Sequence, residues 1–151
     1  MREEYIFVFC GFNERFLNSV EVFDVTRGIW REFPGAVSAR TKFQAVQVGP
    51  EQILLLGGKD EFGVPTDEVD EFNIKDMRSF PADWRLPSCL SGFSACMIKP
   101  GVMAVCGGSD GKQILNKFFL VSFKGKDPMI TDMPPMINSR EEFQLLVGPD
   151  Q

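Results

Sequence analysis

The sequence has no histidine in its 151 residues. That removes the commonest metal ligand, the usual general base and the Ser-His and Cys-His nucleophile arrangements together. Tyrosine occurs once, at Tyr5. The four cysteines, Cys10, Cys89, Cys96 and Cys106, form no CxxC pair, so a structural zinc set of closely spaced ligands is not expected. They read as buried reduced thiols, with Cys89, in a loop, as a candidate redox sensor. Long apolar runs are missing too: Tyr5–Cys10 and Ile53–Leu56 are far too short to span a bilayer. No basic-then-apolar leader precedes the first of them, and a cytoplasmic or nuclear location is expected. Positive charge is in deficit, with 16 Lys and Arg against 21 Asp and Glu and a net charge of −5. That balance disfavours nucleic acid and anionic membranes as partners. No metal or other cofactor is expected.

What is present is ordinary for a soluble globular domain: 44% hydrophobic and 25% charged residues, enough for one domain with a real core. Helical periodicity is hard to find. Apolar residues fall in short, partly alternating runs: Val20 and Val22 flank Glu21, and Val69 and Phe72 bracket Asp70 and Glu71. Phenylalanine is plentiful, and Gly, Pro, Asn and Asp cluster between the runs. Many short strands with regular turn signals predict an all-β fold.

The runs repeat. Phe43, Phe93 and Phe143 stand 50 residues apart and open FQAVQVG, FSACMIK and FQLLVG. The first two lead through a turn to ILLLGG, ending at Gly58, and VMAVCGG, ending at Gly108. The chain start supplies the matching YIFVFCG, with Cys10-Gly11 in place of a double glycine. A third run follows each (NSVEVFDV, DEVDEFNI, NKFFLVSF), aligning Phe23, Phe72 and Val121. A fourth carries Trp30, Phe80 and Met129. Four strands in about 50 residues are the period of a kelch-type propeller blade.

The segment NSVEVFDVTRGIWREFPGAVSARTKF resembles the kelch repeat of kelch-like proteins: Phe23, six residues, Trp30, a turn, then Arg40. MPPMINSREEF repeats the end of the pattern with Arg140. The resemblance covers essentially the whole chain as a single kelch-repeat domain over 1–151. It divides into a partial blade over 1–34, blades over 43–87 and 93–134, and the first strand of a next blade over 143–151. The fold class implied is an all-β, kelch-type β-propeller with three blades' worth of four-stranded antiparallel sheet. In strand count this is a partial propeller or half of a six-bladed ring. VGPDQ at 147–151 matches VGPEQ at 48–52, so the last run stops where a second strand is due. Two expectations follow: a piece of a longer kelch protein, or two chains joined head to tail.

Gly57-Gly58-Lys59-Asp60 does not fit a phosphate loop, because neither the spacing of GxxxxGK[ST] nor that of GxGxxG is met. Recurrence in one register makes Gly11, Gly57, Gly58, Gly107 and Gly108 structural, at strand ends where a side chain would not fit. Phe23, Trp30, Phe72 and Phe80 are expected to pack between blades. The carboxylates Glu21, Asp24, Asp67, Glu68, Asp70 and Glu71 lie on or beside the third strands and read as solvent-facing rather than as a catalytic pair. A hairpin turn at Pro100-Gly101 sets Cys96 opposite Val105 with Cys106 on the other sheet face, so no bridge between them is expected.

In a four-stranded meander the loops between strands two and three and between strands four and one leave the same face. Here these are 12–18, 59–67 and 109–116, with 34–42, 81–92 and 134–142. They carry Arg15, Arg40, Lys59, Arg85, Lys112 and Arg140, cations able to grip an acidic peptide or a protein. Arg40 and Arg140, recurring in register, also suit bracing of the turn before the next strand. The function expected is a non-enzymatic protein-interaction module. Kelch-like proteins often act as substrate receptors of cullin-based ubiquitin ligases or bind actin, and the first role relies on a BTB domain that these residues do not contain. The alternatives are an architectural subunit of a larger assembly or a sugar-modifying enzyme of sialic acid epimerase type using Arg40 or Arg140. The copper oxidases of the kelch class are excluded, since their metal needs histidine.

Overall fold

The computed structural model describes residues 4–148. Short β-rich runs separated by tight turns can pair only with their neighbours in sequence, and they build three antiparallel meanders. The first holds β1 (Tyr5–Phe9), a tiny hairpin of β2 (Phe12–Asn13) and β3 (Arg15–Phe16), then β4 (Val20–Asp24) and β5 (Ile29–Phe33). Its sheet has the order β1-β4-β5. The second is β6 (Gln44–Gln47), β7 (Gln52–Leu56), β8 (Val69–Asn73) and β9 (Arg78–Pro81); the third is β10 (Ser94–Lys99), β11 (Val102–Cys106), β12 (Phe118–Ser122) and β13 (Met129–Met133). Both are four-stranded with strands in chain order. The architecture is that of propeller blades: one of three strands and two of four. Among the described residues no helix is long and apolar enough to cross a membrane.

Turn chemistry sets the register. Before β5, Asp24 Oδ1 accepts the N–H groups of Thr26 and Arg27 at 3.0 and 2.9 Å. Before β9, Asn73 Oδ1 does the same for Lys75 and Asp76 at 2.8 and 3.1 Å. These Asx turns are closed by a left-handed residue, Gly28 in the first blade and Met77 in the second. Consequently Phe23 pairs with Trp30, Phe72 with Ser79 and Val121 with Ile130. Trp30 therefore shares its register with Ser79 and Ile130. Phe80 and Met129 stand one residue off and are exposed. Of the four aromatics expected between blades, Phe72 is fully buried; Phe23 and Trp30 instead pack against each other with tilted rings at a centroid separation of 5.0 Å.

Two further expectations are corrected. A bulge between Met97 and Lys99 shifts the β10–β11 ladder, so that Cys96 faces Ala104 rather than Val105. Because ladder partners two apart share a sheet face, Cys96 and Cys106 lie on the same face. All four cysteines are nevertheless free thiols. The run at 143–147 forms no strand ladder: a first strand exists by bonding to the second strand of its own blade, and none stands beside it among the described residues. The end of that expected strand, 149–151, lies outside the described residues.

The core lies between blades. Val20, Val22, Ala36 and Val37 from the first blade and its exit loop meet Ile53, Leu55 and Phe72. Phe72 packs edge-on against Phe9 and Phe7, at centroid distances of 5.0 and 6.3 Å. The other faces of β7 and β8 contribute Leu54, Leu56 and Val69 to a second cluster with Leu90, Phe93, Met103, Val105, Phe119 and Val121. Strand alternation thus gives the middle blade two apolar faces, one for each neighbour.

Candidate interaction face

Each second strand ends in two residues of positive φ, and geometry explains the repeated glycines there. Gly57 and Gly58 have φ of 54° and 94°, and Gly107 and Gly108 have 65° and 88°. A Cβ on Gly57 would stand 2.6 Å from the Leu90 carbonyl oxygen; one on Gly108 would stand 2.7 Å from Phe93 Cβ. The loop entering the next blade passes over the first glycine of each pair and the entry of the same blade over the second, and the Gly58 and Gly108 N–H groups donate to the Leu90 and Arg140 carbonyls at 2.7 and 2.8 Å. In the first blade Cys10 takes the left-handed position with φ 52°. Its thiol reaches the Ser38 carbonyl at 3.5 Å. Burial pushes that thiol above its ordinary pKa, and burial does the same to Cys96 and Cys106.

From these crossings the loops rise together. The loop after β7 is bridged to the loop before β6 at Lys59–Thr41, and the loop after β11 to the loop before β10 at Ser109–Ser91. Asp60 Oδ1 accepts from the Phe62 and Val64 N–H groups at 2.9 Å each. Asp110 Oδ1 accepts from Lys112 and Gln113 at 2.8 and 2.9 Å, and these bonds hold its carboxyl below the usual range. The two tips nearly touch, since a Cβ on Gly111 would lie 3.0 Å from Pro65 Cγ.

The six cations named from sequence are not equivalent. Arg40 is buried: its Nη2 donates to Asp70 Oδ2 at 2.5 Å and its Nη1 to the Gly57 carbonyl at 3.3 Å. It braces the entry to the second blade and is not offered to a ligand. Asp70, expected to face solvent, is buried with it, and burial pushes its carboxyl up against the pull of the guanidinium. Arg85 is exposed but bound to Asp67 at 2.6 Å, with Glu68 at 3.6 Å. Arg140 is exposed, its guanidinium 5.9 Å from the Phe143 ring centroid. Arg15 and Lys112 are exposed and Lys59 half-buried. The loops therefore present no uniform ring of cations.

Sequence reading passed over a different feature of the same face. Phe12, Phe62, Val64, Ile114 and Ile137, one or more from each of four loops, are exposed, Phe62 by 81% and Ile137 by 97%. The signal was present as large apolar residues inside polar, turn-rich segments such as KDEFGVP. A cleft of 510 Å³ between the second and third blades opens elsewhere, among the turns at Val48–Gln52, Gly101 and Gly125–Pro128 with Trp84 in its wall.

The Kelch motif family matches residues 3–35, the first blade. The solved structure of YjhT superposes with a TM-score of 0.75 at 12% identity, over 91% of this chain and 50% of that one. The likeness is one of propeller fold, and the chain spans half the length of that protein. No curated protein matches the sequence.

Proposed function

In this kelch-repeat protein, we propose, the loop face is a docking surface for a partner protein, and the chain is a non-enzymatic interaction module. One observation carries the reading: the exposed apolar tips Phe62 and Ile137, with Phe12, Val64 and Ile114, rise on loops that a rigid set of blades holds. Large apolar side chains gathered in water on a rigid support favour association, because a partner removes them from solvent. The charges around them are mixed. The loops of this face carry Arg15 and Lys112 as well as Asp60, Glu61, Asp67 and Asp110, which suits a polar rim. A partner chosen for apolar anchors is accordingly favoured over a purely acidic peptide.

The rival reading as a sugar-modifying enzyme loses one of its two arginines, since Arg40 is buried in its pair with Asp70. The test is affinity capture with the intact chain, followed by direct binding of the captured protein to purified variants. Phe62→Ser and Ile137→Ser are expected to weaken binding at least about tenfold each, the loss of an interface anchor, with unchanged thermal unfolding. A partner that binds both variants as tightly as the parent chain overturns the assignment of this face.

A further inference from the structure

The turns joining strands one to two and three to four leave each meander opposite the loop face. The cleft of 510 Å³ opens among them, beside the exit of β9, and its whole wall belongs to the second and third blades. Leu54, 1% exposed, lines its floor, with its ladder partner Glu71 on the same sheet face.

The seam between the first and second blades shows what is unusual here. There the Ala36 carbonyl accepts the Ser79 N–H and hydroxyl at 2.9 and 3.2 Å, stitching one blade's exit to the next blade's fourth strand. By ladder register Arg85 and Ile130 take the places of Ala36 and Ser79. Among the described residues no hydrogen bond joins 81–86 to 123–133, and Arg85 is held by Asp67 instead. Trp84 stands where the first seam has Gly35, and the turn before β13 has six residues (123–128) against four (74–77) before β9. The hollow at the first seam has balanced charge, Glu32 and Asp76 with Lys75 and Arg78. The open cleft has three carboxylates, Glu71, Asp83 and Asp127, against one amine, Lys126.

Its side chains are set up for contact. Trp84 and Phe123 meet edge to face at 5.9 Å, and the Phe123 N–H donates to the Gly101 carbonyl at 2.9 Å. A half-buried tryptophan ordinarily finds a partner for its indole N–H; that of Trp84 has none among the described residues. Gln52 Nε2 donates to Glu71 Oε2 at 2.9 Å, which leaves Oε1 for another donor. Asp83 and Asp127 are exposed and form no ion pair among the described residues.

We propose that this cleft receives an arginine side chain of a partner protein. A guanidinium stacks on an aromatic ring and forks to a carboxylate, so one group uses both kinds of wall at once. The backbone carbonyl of the same residue suits the Trp84 indole N–H. Charge complementarity selects a basic occupant over an acidic one. The site lies away from the loop face and does not depend on the role given to Phe62 and Ile137.

Two indole N–H signals, from Trp30 and Trp84, make the test direct. Titrating the intact chain with acetyl-Gly-Arg-Gly-amide is expected to move the Trp84 signal saturably, with a dissociation constant of about 1 mM or lower. The Trp30 signal and the Phe62 and Ile137 amides stay still. Citrulline in place of the peptide's arginine is expected to weaken binding about tenfold, and so is Asp83→Asn with Asp127→Asn, two exposed positions. Thermal unfolding checks that the variant is folded, and the citrulline comparison needs no variant. A Trp84 signal that shows no saturable shift overturns the proposal. So does a citrulline peptide that binds equally well, or a folded variant that binds as tightly as the parent. A Trp84 shift that follows protein concentration without peptide gives the cleft to a second copy and overturns it too.

Discussion

Arg40 places a full charge where water is excluded, and it is tolerated because Asp70 and the Gly57 carbonyl accept hydrogen bonds from its guanidinium. Removing one member of such a pair leaves the other unsatisfied in the core. Arg40→Leu is therefore expected to cost about 3–5 kcal/mol in denaturant unfolding. At the next junction the same two registers hold Leu90 and Phe119, in one core cluster. Combining Arg40→Leu with Asp70→Phe, which copies that junction, is expected to recover most of the loss. A double variant no more stable than the single one would refute the junction as described. The sequence shows that Arg40 recurs as Arg140, but not that it is buried, because its partner lies 30 residues on, in a strand that alternation alone reads as solvent-facing. Glycine behaves in the opposite way. Its recurrence announced a constraint, and the structure supplies the cause: positive φ under a crossing loop. Gly63 shares the positive φ, yet a Cβ there meets nothing within 4 Å. Gly63→Ala is expected to cost only the conformational strain of about 1–2 kcal/mol, and Gly58→Ala distinctly more, as read from the midpoints of thermal unfolding.

At the scale of the element, the strands were legible because apolar runs and turn residues repeat together. The fourth strand was misaligned for a physical reason. An aromatic is the conspicuous feature of a weak strand, but the turn before it sets the register, and Phe80 is one place past the partner of Phe72. The bulge in β10 is equally invisible in the sequence, since one extra residue leaves no mark in composition. The loops make their own prediction. Asp110 is held below its ordinary pKa by the Lys112 and Gln113 N–H groups. Its stabilisation of the loop tip is accordingly complete above the ordinary value near 3.8 and is lost as pH falls through the lowered one. Amide chemical shifts of Lys112 and Gln113 should move together in that acid range and stay flat in Asp110→Ala. Titration of these amides only near neutral pH would contradict the role given to Asp110.

Over the whole molecule, the buried apolar clusters join neighbouring blades, so interfaces add to the stability of each blade as in other stacked repeats. Phe72 occupies the centre of one such interface, with Phe7 and Phe9 against it. Phe72→Ala is expected to cost about 3–5 kcal/mol, the usual loss for a buried phenylalanine. Hydrogen exchange should then show the first blade opening ahead of the other two. Equal loss of protection in all three blades would mean a single cooperative unit.

The two kinds of junction have a consequence for how the chain finds its order while folding. Blades alike in shape are prone to stack out of sequence, a common fault of repeat proteins. Here a third blade docked wrongly on the first would force Arg40 to face Phe119 and leave a guanidinium dry and without its acid. A wrong stack is thus penalised at its first contact. Charge at one seam and hydrocarbon at the next act as a two-letter address that sorts near-identical parts into one sequence.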